Sequence, residues 1–186
     1  SVNLYAYCRN NPVTFIDPQG TDCYIFYLPE WKGEAMADRK ALAQKYGYDI
    51  SKVHMIPMNN KQDLTNGWNG MGTVDGQPVD IDTVVIDSHA SPSSLGFGNG
   101  SSSMRAQDIQ NLNSQDVKEL VLYGCNAGHM DYQNTNPAAQ FAQRVNGGQV
   151  LASDGTVYST PSGRTDYDSR ADDTFNRYLR NGDRDN

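Results

Sequence analysis

Short apolar runs alternate along the chain with segments in which apolar residues recur at helical spacing. The runs are rich in β-branched and aromatic residues and are bounded by proline, glycine or asparagine, which is the pattern of strands. Two of them, around Val84 and Leu120, are apolar almost throughout and indicate strands buried on both faces. The predicted strands are 22–28, 53–58, 83–90, 119–125, 149–154 and 156–159.

Helical spacing and capping residues predict four helices between and after these strands. Gly47 stands where a C-cap glycine would end the first helix. Asn136 is a good N-cap, and Pro137 follows at the first helical position of the third. The expected helices are 30–46, 104–112, 137–146 and 173–180.

Two glycine-rich stretches complete the predicted order of elements. Residues 62–80 predict a long loop or small hairpin, and residues 91–103 predict a flexible run. Because strands and helices alternate, the expected fold is α/β, with a mostly parallel central sheet and helices on both faces.

Two of the predicted central strands end at residues whose side chains can take part in catalysis, His89 and Cys125. In such sheets the ligand site lies beyond the carboxyl ends of the strands. If the two strands are neighbours, the imidazole and the thiol come within reach of each other despite the 36 residues between them in the sequence. The pattern therefore predicts a site built from these two strand ends.

A neighbouring imidazole makes a thiol a useful nucleophile by taking its proton and stabilising the thiolate. The same His89 could protonate a leaving amine, and backbone N–H groups at Ala90 and Cys125 could face a developing oxyanion. The alternative is structural: Cys125 as a small buried apolar side chain and His89 as a hydrogen-bonded histidine. Their matching positions at two strand ends favour catalysis.

Composition limits the classes of protein to which the chain could belong. A chain of 186 residues is in the range of one domain. Its 22 acidic and 15 basic residues are mixed along the sequence, and the net charge of −7 argues against nucleic-acid binding. No apolar run approaches the length of a membrane span, and the start lacks the pattern of a signal peptide. The three cysteines, Cys8, Cys23 and Cys125, do not form the even set typical of a disulfide framework.

The first twenty residues form a separate piece with extended runs and turns. Tyr5 and Tyr7 follow Asn3-Leu4, then come Asn11-Pro12 and Asp17-Pro18-x-Gly20. This pattern resembles the end of the Rhs (YD-repeat) core, the shell that encloses a variable C-terminal toxin. The resemblance implies a self-cleavage region at 1–20, in which Asp17 matches a catalytic aspartate, and an effector domain at 21–186. It also implies a secreted effector that reaches a target cell without an ordinary signal peptide, and a possible immunity protein as partner.

Residues 83–159 resemble the clan of caspase-like cysteine peptidases that includes gingipains, separases and CHAT domains. The motifs are an apolar strand ending in His89 and a small residue, and a second strand ending in Gly-Cys-x-x-Gly around Cys125. The resemblance implies a caspase-like fold, a protein substrate and no cofactor. It makes His89 the base, Cys125 the nucleophile and the backbone of Ala90 part of the oxyanion hole.

Asp154 directly follows Val-Leu-Ala-Ser at 150–153, in the strand that in this clan helps to line the specificity pocket, where it would select a basic residue. An Asp-Gly pair is also an ordinary turn. A metal site made by Cys125, His129 and Asp131 with His89 is a weaker alternative, because the spacing is not that of dense zinc ligands.

Two rival functions stay open. The same pair could serve a deamidating or acyl-transferring toxin that modifies glutamine side chains. The chain could also be a non-enzymatic toxin domain that binds a partner, with Cys125 buried.

Overall fold

The computed structural model describes residues 21–98, 100, 103–157 and 175–178, the last of these as backbone. In chain order the elements are β1 (Thr21–Tyr27), α1 (Lys32–Tyr46), β2 (Val53–Pro57), α2 (Lys61–Asn69), β3 (Thr73–Val74), β4 (Gln77–Pro78), β5 (Asp80–Asp87), β6 (His89–Ser91), β7 (Ser94–Gly96), β8 (Met104–Arg105), α3 (Ala106–Gln110), β9 (Val117–Tyr123), α4 (Pro137–Ala142), β10 (Gln149–Ser153) and β11 (Phe175–Tyr178). The region expected to be the end of an Rhs core, 1–20, lies outside the described residues.

Six of these strands form the central sheet, in the order β11-β10-β9-β5-β1-β2. The five strands from β10 to β2 are parallel, and β11 pairs antiparallel with β10. The predicted α/β class and mostly parallel sheet are confirmed. The expected helix over 173–180 is wrong at its centre, because residues 175–178 form β11. Aromatic residues at both ends of that short segment favour a strand, and the free edge of β10 supplies its backbone partners.

Alternate residues of β1 belong to two hydrophobic clusters on opposite faces of the sheet. Cys23 and Ile25 pack with Ala35 and Leu42 of α1. Phe26 belongs to the larger cluster, which contains side chains from the other three helices: Leu64 and Trp68 of α2, Ile109 of α3, and Phe141 of α4. Helices therefore cover the sheet from both sides, and they leave the carboxyl ends of its strands to the loops.

The α2 helix corrects the expectation of a loop or hairpin over 62–80. Asn60 caps it, since its Oδ1 accepts hydrogen bonds from the backbone N–H groups of Gln62 at 2.8 Å and Asp63 at 3.0 Å. Gly67 indicates a loop in the sequence, but it lies inside this helix. A Cβ at that position would lie 2.5 Å from Cε1 of Phe26, so the glycine lets the helix pack closely on β1. The hairpin part of the prediction is correct, as β3 and β4 pair antiparallel.

The stretch 91–103, expected to be a flexible run, contains β7 instead. With β6 and β8 it forms a three-stranded antiparallel sheet in which His89 pairs with Gly96. The helices expected at 104–112 and 137–146 are shorter than predicted and occupy 106–110 and 137–142. Thr156 and Val157 lie outside any strand, and the rest of the strand predicted at 156–159 falls outside the described residues.

Gly148 directly precedes β10 and packs against the backbone carbonyl groups at the start of β9. A Cβ there would lie 1.8 Å from the carbonyl oxygen of Val117, which cannot move without disturbing the sheet. We expect Gly148→Ala to lower the free energy of unfolding by about 1–3 kcal/mol. Gly33→Ala is the matched control, because a Cβ at Gly33 meets nothing within 4 Å and alanine favours the helix by up to about 1 kcal/mol. Urea unfolding measures both, and a Gly148→Ala protein as stable as the parent would contradict the packing described.

Candidate active site

The ends of β5 and β9 lie side by side in the centre of the sheet. The two strands pair in parallel up to Asp87 and Tyr123, and the backbone N–H of Ser88 donates to the carbonyl of Tyr123 at 3.3 Å. His89 and Cys125 each stand two residues beyond this last pair. The adjacency of the two strands, on which the predicted site depends, is therefore present in the structure.

Gly124 and Gly128, which flank the Cys125 loop, are both required by close backbone approaches. A Cβ at Gly124 would lie 2.6 Å from Cβ of Ala90 and 2.9 Å from the carbonyl oxygen of Ser88. A Cβ at Gly128 would lie 2.9 Å from the carbonyl oxygen of Ala152 in β10. The loop that carries the thiol is thus wedged between the ends of two neighbouring strands.

Hydrogen bonds to the chain after β10 hold the same loop in place. The backbone N–H of Gly128 donates to the carbonyl of Ser153 at 2.8 Å, and that of Asn126 donates to the carbonyl of Gly155 at 2.6 Å. Asn126 has a φ of 58°, in the left-handed region that asparagine tolerates better than most residues. The residue after the thiol therefore makes the turn that brings the chain back toward β10.

His89, which follows β5, contacts the segment after β1. In the central sheet β1 is the neighbour of β5 on the side away from β9. Nε2 of His89 lies 3.2 Å from Oε1 of Glu30, and the histidine ring packs edge-to-face with Trp31, with the centroids 4.7 Å apart. The side chains of His89 and Glu30 are 55% and 49% exposed, so this contact is open to solvent. The contact fixes one ring nitrogen toward a carboxylate and leaves Nδ1 available for a second partner. No sequence pattern singles out Glu30 or Trp31.

Cys125 is partly buried and turns toward the other neighbour, β10. Its Sγ lies 3.9 Å from the carbonyl oxygen of Val157, a distance at which a thiol makes a weak hydrogen bond. Among the residues that the structure describes, no hydrogen bond joins the thiol to His89. The fold brings the two residues to adjacent strand ends, while their side chains contact opposite neighbours.

Asp154 lies on the β10 side of the Cys125 loop, and its carboxylate binds a backbone group. Its Oδ1 accepts the N–H of Met130 at 2.9 Å, and the side chain is 24% exposed. Nδ1 of His129 lies 3.9 Å from the same oxygen but accepts the N–H of Asp131 at 3.2 Å. Asp154 therefore anchors the 3₁₀ turn at Met130–Tyr132, next to the loop that carries the thiol.

Ala90 packs against the larger hydrophobic cluster, where its methyl group meets Gly124. The alternative metal site on Cys125, His129, Asp131 and His89 does not form in the described part of the chain. No three His, Cys, Asp or Glu side chains within that part lie close enough together to hold a metal ion.

His54 and Cys23 lie outside this site. Nε2 of His54 lies 2.8 Å from Oδ2 of the buried Asp22, and its ring stacks on Tyr24 at 4.8 Å. Cys23 is fully buried, and desolvation raises the pKa of its thiol to about 11. Both residues therefore serve the packing of β1 and β2. The remaining cysteine, Cys8, lies outside the described residues.

Comparisons with protein-family models, with curated proteins and with solved structures found no match. Within the described ranges, no helix has the length and apolar character needed to cross a membrane.

The two described cysteines differ enough in environment to be told apart by alkylation. A thiol with a pKa of about 11 is a thiolate in about one molecule in a thousand at pH 8, and burial also excludes the reagent from Cys23. We expect iodoacetamide to label Cys125 in the folded protein at least about 100-fold faster than Cys23. Peptide-resolved mass spectrometry measures each site separately, and denaturant should bring the Cys23 rate up to that of a free thiol. A Cys125 that stays unlabelled until unfolding would contradict the accessibility described.

Proposed function

We propose that the chain is a cysteine peptidase that uses Cys125 as nucleophile and His89 as base. The observation that carries the proposal is the parallel pairing of β5 with β9, which sets the His89 and Cys125 loops against each other at the carboxyl end of the sheet. The carboxyl edge of the sheet is where parallel α/β folds hold their ligands. Nucleophile and base on neighbouring strand ends are the arrangement that acyl transfer requires.

Glu30 supports the role of His89 as a base. A carboxylate at Nε2 holds the imidazole in one orientation and stabilises the imidazolium that forms when the ring takes a proton. Nδ1 is then the nitrogen that meets the thiol. Because the side chains of His89 and Glu30 are both about half exposed, the pair can move together toward Cys125 without displacing core residues. Catalytic hydrogen bonds are often long or misaligned until substrate is bound.

The reaction proceeds through a thioester. Cys125 gives its proton to His89, and the thiolate forms a C–S bond to the peptide carbonyl carbon while backbone N–H groups of Ala90 and Cys125 bind the oxyanion. The C–N bond then breaks as the imidazolium protonates the leaving amine. Water, deprotonated by His89, attacks the thioester, the C–S bond breaks, and the thiol is restored with release of the acid.

The finer fold assignment, a caspase-like peptidase, belongs to the same proposal. It is supported by the placement of the histidine strand and the cysteine strand as neighbours at the centre of a parallel sheet, with the next strand, β10, on the cysteine side. The two glycines around Cys125 support it as well, since each allows a close approach on one side of the thiol loop.

The biological setting rests on residues 1–20 alone. Their resemblance to the end of an Rhs core supports a toxin that is released from the Rhs shell and delivered as a secreted effector into a target cell. A protein substrate and a cognate immunity protein follow from that setting.

One observation favours a non-enzymatic alternative. His89 is paired with Glu30, and Cys125 contacts Val157, so neither side chain meets the other. A domain that binds a partner through this surface has no need of the dyad. The deamidating or acyl-transferring toxin uses the same dyad and differs from a peptidase in the group that it modifies.

The proposal is tested by incubating a bacterial lysate with the purified chain and labelling new N-termini for mass spectrometry. We expect cleavages that disappear with Cys125→Ala and with His89→Ala, because each variant removes one half of the acyl-transfer chemistry. Cys23→Ala is the matched control and should retain the cuts, provided that circular dichroism shows it to be folded.

The other outcomes separate the rivals. Glutamine side chains that are modified without new N-termini would replace the peptidase with a deamidating or acyl-transferring enzyme. A lysate that is unchanged by the folded parent protein would leave the partner-binding domain as the better account.

A further inference from the structure

A cleft of about 510 Å³ lies at β2, the edge strand of the central sheet, two strands away from β5. Its volume is in the range that is typical of small-molecule sites. Apolar side chains form part of its wall, among them Ile56 and Val74. Its polar lining residues come from several elements: Arg39 of α1, Ser51, His54 of β2 and Thr73 of β3.

Arg39 is held in place by the backbone at the start of β2. Its Nε donates to the carbonyl of Val53 at 2.9 Å, and its Nη2 donates to the carbonyl of Ile50 at 3.0 Å. A guanidinium group has five N–H donors. Within the described residues, the other three have no hydrogen-bond partner. A guanidinium group fixed in this way presents a fork of donors that fits a carboxylate.

His54 is positioned from inside the sheet by Asp22. Nε2 of His54 lies 2.8 Å from Oδ2 of Asp22, which is only 1% exposed, and the imidazole ring stacks on Tyr24. Nζ of Lys52 lies 3.4 Å from Oδ1 of the same carboxylate and balances its charge. The His54 side chain is still 33% exposed where it lines the cleft. Besides packing on Tyr24, His54 is thus an oriented polar group in the wall of the cleft.

The cleft is a cationic place on an acidic chain. The net charge is −7, yet no aspartate or glutamate is among the described residues that line the cleft, while Arg39 is one of them. Asp49, which interacts electrostatically with Arg39, already accepts the backbone N–H of Ser51 at 2.8 Å. A negative ligand group therefore meets hydrogen-bond donors in this wall, together with apolar surface for the rest of the ligand.

An added β-strand is a poorer occupant of this edge. The carbonyl of Val53 is already bound by Arg39, and Pro57, the last residue of β2, has no N–H to donate. Proline and charged side chains on an edge strand hinder further strand pairing. The cleft is therefore better suited to a small molecule than to an extended chain that pairs along β2.

We propose that this cleft binds a small organic anion, with its carboxylate at Arg39 and His54 and its apolar body against Ile56 and Val74. The buried apolar surface contributes affinity, and the charge-assisted hydrogen bonds fix the orientation of the ligand. A free organic acid and the C-terminus of a peptide share this chemistry, and the test separates them. The site is distinct from the proposed peptidase site and does not depend on it.

The test is an NMR titration of the full chain that follows the ring signals of His54 and, where the residue is present, the Nε–Hε signal of Arg39. The carboxylate probes are 2-naphthoate, a free acid, and N-acetyl-leucine, which mimics a peptide C-terminus. The corresponding alcohol and amine, 2-naphthylmethanol and 2-naphthylmethylamine, are the neutral and cationic analogues.

The variants are Arg39→Gln and Thr73→Glu, each with a matched control. Lys40→Gln removes the same charge from an exposed residue of α1 that does not line the cleft. Thr73→Gln has nearly the shape of Thr73→Glu without its charge. Because Thr73 is exposed on β3, both substitutions at this position leave the core packing unchanged.

We expect a saturable shift of both signals with at least one carboxylate, and binding of the alcohol and the amine that is at least about tenfold weaker. Arg39→Gln and Thr73→Glu should each raise Kd about tenfold, the first by removing the donor fork and the second by adding a like charge. Both controls and Cys125→Ala should bind as the parent does. Whichever of 2-naphthoate and N-acetyl-leucine binds more tightly identifies the source of the carboxylate.

The inference is overturned if neither carboxylate gives a saturable shift, or if the alcohol or the amine binds as tightly as 2-naphthoate. It is also overturned if Thr73→Glu and Thr73→Gln bind the carboxylate equally well, since Thr73→Glu leaves Arg39 and His54 in place. None of these results changes the Cys125-dependent cleavage of a lysate, so the two proposals stand or fall separately.

Discussion

The parallel register between β5 and β9 is the constraint on which the candidate site depends. Residues far apart in the sequence are fixed opposite each other by the backbone hydrogen bonds of this ladder, which ends at Asp87 and Tyr123. A shift of one residue would turn every side chain of one strand to the other face of the sheet. Because both strands are buried between helical layers, such a shift would place core side chains against the wrong partners, and the register is strongly specified.

The loops beyond this ladder are positioned by close packing as well as by hydrogen bonds. Gly124 rests on Ala90 and Ser88, and Gly128 rests on Ala152, so the Cys125 loop has a tightly packed strand end on either side. On one side of the site Glu30 contacts His89, and on the other side Asp154 accepts a hydrogen bond from the turn at Met130. Four consecutive parallel strands, β1, β5, β9 and β10, thus each contribute one part of the site at their carboxyl ends.

The five parallel strands could be predicted from the sequence because short continuous apolar runs bounded by breakers are typical of buried strands in a parallel sheet. The α2 helix could not, because Gly67 resembles a loop residue until its close contact with the ring of Phe26 is known. Nor could β11, because a four-residue edge strand depends on the partner that β10 offers. Local sequence pattern is sufficient to predict the strands of the parallel core. It is insufficient where a tertiary contact determines whether a segment forms a helix or a strand.

The same distinction between local pattern and tertiary contact applies to the candidate site residues. His89 and Cys125 could be selected from the sequence because each follows an apolar strand closely, but their adjacency depends on the strand order, which no local pattern contains. Glu30 could not be selected, since a glutamate after a proline is common and its meaning depends on β1 lying beside β5. Asp154 was selected as a specificity residue, and its contact with the Met130 N–H adds a positioning role that the Asp-Gly pair does not indicate.

Activation of Cys125 by His89 with the support of Glu30 is best measured as the rate of adduct formation with a peptidyl acyloxymethyl ketone, followed by intact mass. We expect a saturable reaction at Cys125 that falls about 100-fold or more in His89→Ala and about tenfold in Glu30→Gln, because general-base assistance and its orientation are lost in turn. If Cys125 forms the adduct equally fast in all three proteins, or in none of them, His89 does not activate it in this way.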